Sequence, residues 1–275
     1  MTWFLPRTGA GQPDPRRPSS GDEAASAPRL VSVSQFSDPL VTSPVDPSRH
    51  PSQATAYWLQ RDIVRGVFRP WERLKVERLS QFYGVGLSPV REAILILSTS
   101  GLLVHEHLKG YRVAPTSLAD HADLADIYQR LYRLALGMAF ERGDDAWEEQ
   151  VVVQLHRSQR VRKVLPDGDP ERREMWQIAY ISLHGALLEG CRSPILLDQF
   201  ASVGARLERY INLYADLESD RHRDHHAEHR AIVDALMDRD AKRLHQLLDS
   251  FFMTTTPVHD SIRAALGALN RGEAR

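Results

Sequence analysis

Histidines are concentrated in one short stretch of the second half of the chain. Four of them fall within eight residues, namely His222, His225, His226 and His229. Residues three and four positions apart are neighbours on a helix, so these imidazoles, together with His184, could hold zinc or nickel. The other interpretation is a solvated helix start rich in Arg and Asp. We favour it, because a histidine pair at helical spacing is a weak signal.

The residue types needed for covalent catalysis do not combine into a motif. Cys191 is the single cysteine, which excludes an internal disulfide framework and any multi-cysteine zinc module. The sequence has no Gly-rich phosphate loop and no His-Glu-x2-His segment. We therefore expect the protein not to be an enzyme, and a His-dependent enzyme is the less favoured alternative.

A second group of polar residues surrounds an arginine on a short predicted helix, residues 88–100. Ser88 is expected to cap this helix, and Pro89 suits its first turn. The early exposed positions are Ser88, Arg91 and Glu92, and an arginine there can bond O6 and N7 of guanine together. Nearby cations suit phosphates, which position a protein without reading sequence. They are Arg73, Lys75 and Arg78 on the preceding helix, and His107, Lys109 and Arg112 in the following hairpin.

The elements around Arg91 predict a winged helix-turn-helix over residues 53–115. Apolar residues at helical spacing indicate one helix from Gln53 to Gly66 and a second ending at Gly84, before the third at residues 88–100. Two short aliphatic runs around Lys109-Gly110 then predict a two-stranded β-hairpin. This segment has 9 Lys+Arg and 5 Asp+Glu, a charge of +4, within a chain of net charge -1.

The remainder of the chain is predicted to be helical, so the fold class is mostly α. An antiparallel bundle is expected over residues 116–255, with a partly helical C-terminal tail at 256–275 and a disordered extension at 1–52. The predicted bundle helices are 117–142, 145–165, 171–190, 194–219, 222–238 and 240–253. With no long apolar run and no secretion signal, we expect a cytoplasmic protein that does not contact membranes.

The motifs at residues 88–93, 101–102 and 110–113 resemble the DNA-binding domain of GntR-type bacterial transcription regulators. The run Pro-Val-Arg-Glu-Ala is the specific part. The helical region is similar to the FCD effector domain, and the resemblance covers about residues 53–253. It implies a homodimer that binds a double-stranded DNA operator and a small-molecule metabolite, with repression relieved by the metabolite.

Three positions of the head depart from the family pattern. Leu87 stands where a DNA-contacting Arg is common, and Glu77 stands where another Arg is frequent. Trp71 follows Pro70 where the family usually has Pro-Gly. The operator is therefore expected to differ from the usual half-site. A DNA-silent dimerisation partner is the alternative that these departures leave open.

The effector domain departs from the family at its metal site. The resemblance implies an Asp, a His on the same helix and two later His, and these positions hold Tyr180, His184, His229 and Phe251. Two imidazoles are too few for a stable site, so no metal and no other cofactor is expected, with His184 and His229 the weak candidate ligands.

The same four residues are predicted to line an apolar effector pocket. A filled core without a ligand is the alternative. The family's Arg and Glu on the first bundle helix correspond to Leu131 and Ala135, which again favours a less charged effector.

Overall fold

The computed structural model describes residues 46–163 and 169–271. Contacts divide the chain into two compact units that meet in sequence between Thr116 and Ser117. We call residues 46–116 the head and the described residues from 117 onward the helical domain. No helix in these ranges is both long enough and apolar enough to cross a membrane. The predicted disordered extension, residues 1–52, lies outside the described residues as far as residue 45.

Three helices build the interior of the head: α1 (Pro51–Val64), α2 (Val76–Tyr83) and α3 (Leu87–Leu97). Apolar side chains three or four positions apart face one side of each helix, and Ile63, Leu79 and Ile94 are buried. Helix α2 ends at Gly84, whose left-handed conformation (φ 65°) suits the tight turn into α3. The predicted helix-turn-helix is confirmed.

The wing is a three-stranded antiparallel sheet. Its strands are β1 (Arg73–Leu74), β2 (Leu103–Glu106) and β3 (Gly110–Val113), in the order β1-β3-β2. Strand β3 pairs with both neighbours, with Leu74 opposite Tyr111 and Val104 opposite Arg112. The predicted two-stranded hairpin is therefore incomplete. Its third strand has only two residues, too few to produce an alternating pattern.

The helical domain contains seven α-helices within the described residues, and short connections join most of them. They are α4 (Leu118–Arg142), α5 (Asp145–Gln159), α6 (Pro170–Glu189), α7 (Pro194–Tyr214), α8 (His225–Met237), α9 (Ala241–Thr254) and α10 (Thr256–Asn270). A short 3₁₀ helix, Leu217–Asp220, separates α7 from α8.

Side-chain caps set several of these boundaries. Ser117 accepts a hydrogen bond from the amide of Asp120 at the start of α4, and Ser193 accepts one from the amide of Leu196 at the start of α7. The predicted helices 194–219 and 222–238 are both too long. Asp216 caps the 3₁₀ helix and Asp224 caps α8, so these two aspartates start new elements where the sequence pattern suggested continuity.

The segment after residue 255, expected to be a partly helical tail, forms a helix that packs into the helical domain. Helix α10 is regular, with Pro257 in its first turn, a position that needs no amide donor. Val258, Ile262 and Leu266 are buried at four-residue spacing, in a second core that also takes residues from α4 and α7. The helical domain therefore extends to Asn270.

The main core of the helical domain contains a tryptophan packed against two glycines. The indole Nε1 of Trp147 donates to the carbonyl of Ala186 at 2.8 Å. A Cβ atom on Gly143 would lie 2.1 Å from this ring, and one on Gly190 would lie 2.6 Å away. Trp147 thus fixes the connection from α4 to α5 against the end of α6.

Candidate nucleic-acid interface and ligand pocket

The N-terminal end of α3 presents its side chains to solvent. Helix α3 begins one residue earlier than predicted, at Leu87, and Gly86 precedes it with no side-chain cap. Ser88 is therefore inside the first turn, and the prediction that it caps the helix is wrong. Its hydroxyl donates instead to Oε1 of Glu92 at 3.3 Å, and Oε2 of Glu92 accepts from the hydroxyl of Ser52 at 2.5 Å.

Arg91 is exposed and takes part in no hydrogen bond or ion pair within the described residues. It lies one helical turn after Leu87, which is 41% exposed. Because Val90, Ala93, Ile94 and Leu97 supply the buried face of α3, Arg91 is not required for packing. Its guanidinium keeps all its donors available for a partner.

The cations before α3 lie on different elements from those predicted. Only Arg78 is within α2, whereas Arg73 is in β1 and Lys75 precedes α2 as its N-cap residue. The prediction that all three share the supporting helix is therefore wrong, because the short strand β1 intervenes. All three are exposed, but Nη1 of Arg78 is 3.1 Å from Oε1 of Glu72. Arg73 and Lys75 are the better placed pair.

The wing has two exposed polar residues in its turn and one engaged arginine in strand β3. His107 and Lys109 are exposed between β2 and β3. Nε of Arg112 donates to Glu106 at 2.6 Å, and Nη1 donates to the carbonyl of Trp71 at 3.0 Å. The hydrogen bond from Arg112 lowers the pKa of Glu106. Arg112 therefore stabilises the wing and is the least available of the predicted phosphate contacts.

Trp71 adopts a backbone conformation that favours glycine. Its φ is 67°, in the left-handed region that costs an ordinary residue about 1–2 kcal/mol. The guanidinium of Arg112 lies 5.5 Å from the Trp71 ring centre, within the range of a cation–π interaction. The family departure at Trp71 thus occupies a strained position that Arg112 helps to hold.

In the helical domain, the four predicted pocket residues come together from α6, α8 and α9. The ring centroid of Tyr180 lies 4.3 Å from that of His184 and 5.2 Å from that of His229. Phe251 completes the group, 5.6 Å from His184 and 6.3 Å from His229. This aromatic cluster sits in the main core, where His184 and His229 are both buried.

Tyr132 on α4 also belongs to this cluster, although its sequence position did not single it out. Its hydroxyl shares a hydrogen bond with Nδ1 of His184 at 2.8 Å, and Nε2 of His184 lies 3.1 Å from Nε2 of His229. Three buried polar side chains therefore form one hydrogen-bonded row. The signal in the sequence was a tyrosine on the helix face that also carries Ala135 and Ala139, because small neighbours leave room for a large polar partner.

Burial keeps this row uncharged. Desolvation lowers the pKa of His229 to about 3 and that of His184 well below its ordinary value. Desolvation also raises the pKa of Tyr180 to about 12 and raises that of Tyr132. At neutral pH the row contains neutral imidazoles and protonated hydroxyls. It can donate and accept hydrogen bonds but carries no charge of its own.

A charged cluster borders the aromatic cluster at the N-terminal end of α8. Lys163 donates to Asp220, and Nε2 of His225 lies 3.1 Å from the Asp220 carboxylate and 3.2 Å from Nζ of Lys163. Although burial opposes the effect, hydrogen bonds from His225 and Lys163 lower the pKa of Asp220. The cluster links the end of the α5 segment to the 3₁₀ helix.

Arg223 connects this charged cluster to the aromatic cluster. Its guanidinium pairs with Glu228 at 2.7 Å and lies 4.8 Å from the ring centre of Phe251. Nη2 also lies 3.3 Å from the Phe251 carbonyl. Among the described residues, Arg223 is the one cation that lies over a ring of the aromatic cluster, and Glu228 neutralises its charge.

A small cavity opens beside the two clusters. It is lined by Ser158, Trp176, Ala179, Tyr180, His225, His226 and His229. Its volume of about 10 Å³ is near the lower limit for one water molecule. The structure thus resembles the filled-core alternative more than an open pocket, and a metabolite must displace side chains to enter.

The residues at the family's metal position do not fit a divalent ion. Tyr180 and Phe251 replace two of the four implied ligands, which leaves only the imidazoles of His184 and His229. Among the described residues, no group of three or more His, Cys, Asp or Glu has the geometry to hold a metal ion. A stable divalent site normally takes three or four protein ligands, so we derive no step through a metal.

The four clustered histidines do not converge on one point. His222 is exposed before α8, and Nε2 of His226 donates to the carbonyl of Val161 at 3.1 Å. His225 bonds to Asp220, and His229 bonds to His184. Two of the four are buried, so the interpretation as a uniformly solvated helix start is also wrong.

The remaining candidate positions of the helical domain are apolar and unreactive. Ala135 is fully buried and Leu131 is half-buried on α4, so no charge approaches the aromatic cluster from these positions. Cys191 is buried as well, and its sulfur contacts only the backbone of Ser193 among hydrogen-bonding groups of the described chain. Neither region offers a nucleophile with a neighbouring base.

Two family models match the chain. The model described as bacterial regulatory proteins, gntR family, matches residues 51–113, and the FCD domain model matches residues 123–252. The chain is 30% identical over 204 residues to the HTH-type transcriptional repressor GlaR of Escherichia coli (strain K12), covering 73% of this chain and 92% of GlaR. It is 32% identical over 196 residues to the uncharacterized HTH-type transcriptional regulator BphR of Paraburkholderia xenovorans (strain LB400), covering 71% of this chain and 80% of BphR.

Solved structures share the fold at lower identity. The structure of E. coli McbR/YncC has a TM-score of 0.61 and 18% identity, covering 76% of this chain and 96% of that one. A putative transcriptional regulator GntR from Rhodococcus sp. RHA1 has a TM-score of 0.56 and 23% identity, covering 79% of this chain and 98% of that one.

Proposed function

Because the chain belongs to the GntR family of bacterial transcription regulators, with an FCD domain after its winged helix-turn-helix, we propose that it is a ligand-responsive repressor. In this proposal the head binds a specific DNA operator as part of a homodimer. The helical domain binds a small-molecule metabolite that changes the affinity for DNA. The name of GlaR, a transcriptional repressor, supports repression as the direction of control.

The exposed Arg91 at the start of α3 is the observation that carries the DNA-binding part. In a helix-turn-helix the second helix of the motif enters the major groove, and its N-terminal residues contact base edges. Arg91 has this position and no competing partner in the described structure. Arg73, Lys75, His107 and Lys109 of the head are also exposed and suit phosphate contacts.

Binding to DNA upstream of the protein's own gene tests this part. The full-length protein is titrated against the intergenic duplex at fixed salt, and the site is mapped by footprinting, since affinities depend strongly on salt. We expect Arg91→Ala to weaken specific binding at least about thirtyfold, because each Arg–guanine pair contributes about 1–3 kcal/mol and a dimer makes two. Arg130→Ala, which removes an exposed arginine from α4, is the matched control and leaves the affinity unchanged.

Phosphate contacts have a different signature. Lys109→Ala is expected to weaken binding to specific and unrelated duplexes by a similar factor, and to reduce the slope of log affinity against log salt by about one for each phosphate that is no longer neutralised. If Arg91→Ala binds the intergenic duplex as well as the wild type does, the assignment of Arg91 fails. If the wild type binds no duplex specifically, the protein is the DNA-silent dimerisation partner that Leu87 and Glu77 suggest.

The aromatic cluster supports an uncharged or weakly charged effector. Its polar groups are neutral, and the nearby Arg223 already has Glu228 as its partner. A ligand that binds one state of the helical domain better than another shifts the equilibrium between those states. Thermal unfolding of the full-length protein with a panel of aromatic and aliphatic metabolites tests this part. A stabilising compound must also change the affinity for the intergenic duplex.

A further inference from the structure

The first residue of α3 is a leucine that lies outside the buried face of this helix. Leu87 is 41% exposed, and the buried face of α3 is made by Val90, Ala93, Ile94 and Leu97. Single exposed leucines are common on protein surfaces, so exposure by itself means little. The position is informative, because Leu87 lies where a helix-turn-helix protein meets the base edges.

Leu87 and Arg91 share one face of α3. They are four residues apart, so their side chains are neighbours on the helix. The rise between them is about 6 Å, which corresponds to about two base-pair steps of 3.4 Å along the duplex. A helix that places Arg91 against one base therefore brings Leu87 close to a base about two pairs away.

The chemistry of leucine limits what it can recognise there. Its side chain has no donor or acceptor and cannot satisfy the polar edges of guanine, adenine or cytosine. The C5-methyl group of thymine is the apolar feature that a base pair presents in the major groove. We propose that Leu87 is a specificity-determining residue that contacts a thymine methyl group about two base pairs from the base read by Arg91. This inference rests on the proposed DNA-binding function.

The methyl group can be removed from DNA without changing any hydrogen bond. The full-length protein first selects its preferred sites from a pool of random duplexes at fixed salt. Each thymine of the selected site is then replaced in turn by deoxyuridine. We expect one thymine per half-site to be sensitive. Its replacement should weaken the affinity about fourfold in one half-site and about fifteenfold in both, because each replacement removes one methyl group from an apolar contact.

Variants assign this sensitivity to one side chain. Leu87→Ala is expected to bind the thymine and deoxyuridine duplexes with equal affinity. The matched control is Leu95→Ala, which removes the same side chain from a 59% exposed position two turns further along α3 and keeps the wild-type sensitivity. Leu87→Arg is expected to select guanine in place of thymine at that position, because arginine bonds O6 and N7 of guanine.

The outcomes separate this inference from the proposed function. If the wild type selects a specific site and Arg91→Ala loses it, but no thymine is sensitive to deoxyuridine, the Leu87 assignment is overturned and the regulator function stands. The assignment is also overturned if Leu87→Ala retains the wild-type sensitivity. If the wild type enriches no sequence from the pool, the DNA-binding function fails, and the inference fails with it.

Discussion

The candidate functional side chains of the head and those of the helical domain lie in opposite surroundings. In the head, Arg91, Lys75 and Lys109 project into solvent. In the helical domain, Tyr132, His184 and His229 are buried and bond to one another. An exposed group stays hydrated until its partner arrives, whereas a buried polar group needs a partner at all times because an unsatisfied one is costly.

This difference predicts how each domain tolerates change. An exposed residue of the head can be replaced without disturbing the interior. Leu87 can therefore occupy a position where the family commonly has arginine, with no compensating change elsewhere. A buried row changes only if its members remain satisfied together. Tyr180 and Phe251 have both departed from the family's ligand set, and His184 and His229 are left bonded to each other. The two domains therefore permit different routes to a new specificity.

The largest expected effect on stability is that of Gly143→Ala, which tests the packed interior of the helical domain. Its added Cβ would lie 2.1 Å from Trp147 and 2.8 Å from the carbonyl of Ala139, and neither can move without disturbing the core. We expect the free energy of unfolding to fall by about 3 kcal/mol, measured by denaturant unfolding followed by circular dichroism. Gly137→Ala on α4 is the control, because no atom lies within 4 Å of its added Cβ. It should stabilise by about 1 kcal/mol. Equal effects of the two changes would contradict the close packing around Trp147.

Tyr132→Phe tests the buried row itself. It removes the hydroxyl that bonds to Nδ1 of His184 and leaves a buried nitrogen without a partner. The expected loss in the free energy of unfolding is about 2 kcal/mol. Tyr57→Phe in the head is the matched control, since Tyr57 is half-buried and its hydroxyl makes no hydrogen bond in the described structure. A loss for Tyr57→Phe as large as that for Tyr132→Phe would remove the contrast between the domains.

Acid should weaken the helical domain before the head. Burial lowers the pKa of His229 to about 3 and that of His259 to about 4, from an ordinary value of 6.5. The unfolded chain therefore binds more protons than the folded one below pH 6.5, and stability falls as the pH drops from 6.5 toward 4. Each such histidine contributes a loss of about 1 kcal/mol between pH 7 and 5.5.

Hydrogen exchange by segment measures this loss. After correction for intrinsic exchange rates, amide protection should fall in α8 and α10 at pH 5.5, and α1 and α3 should change less, because the histidines in the described part of the head are exposed. A uniform fall in both domains would mean that the buried histidines are not its source.

The smallest expected effect is that of metal removal. Since His184 and His229 bond to each other and lack further ligands among the described residues, the melting temperature should be the same in EDTA and in zinc or nickel. Metal analysis of the purified protein should find well under one ion per chain. A shift of several degrees on adding metal would show that the row can open to coordinate the ion. It would contradict the view that the buried row is satisfied by its own hydrogen bonds.

Local patterns in the sequence predicted the elements that depend on local physics. Ser117 and Ser193 cap helices at the starts predicted near residues 117 and 194, and Gly84 ends α2 as predicted. The pattern could not predict β1, whose two residues are defined only by pairing with β3. It also ended the bundle at residue 255, just before Pro257, although proline is equally suited to the first turn of a further helix. Only the buried contacts of Ile262 distinguish these possibilities.

Most members of the aromatic cluster were predictable, but its hydrogen bonds were not. Tyr180, His184, His229 and Phe251 come together at the positions that the family resemblance implied, although the structure resembles a filled core more than the predicted pocket. Their hydrogen bonds were not visible in the sequence, since Tyr132 joins the row from 52 residues away. The left-handed conformation of Trp71 was hidden for the same reason, since the Trp71 carbonyl accepts a hydrogen bond from Arg112, which is 41 residues further along the chain.

Trp176 gives the molecule an optical consequence. Its indole borders the cavity, 5.3 Å from the ring of Tyr180 and 5.4 Å from that of His225, whereas Trp147 is fixed against two glycines away from it. A compound that enters the cavity must rearrange the surroundings of Trp176 and leave those of Trp147 unchanged. The emission of Trp176, isolated as the difference between the wild type and Trp176→Phe, is thus a built-in fluorescence signal for screening metabolites before any operator is known.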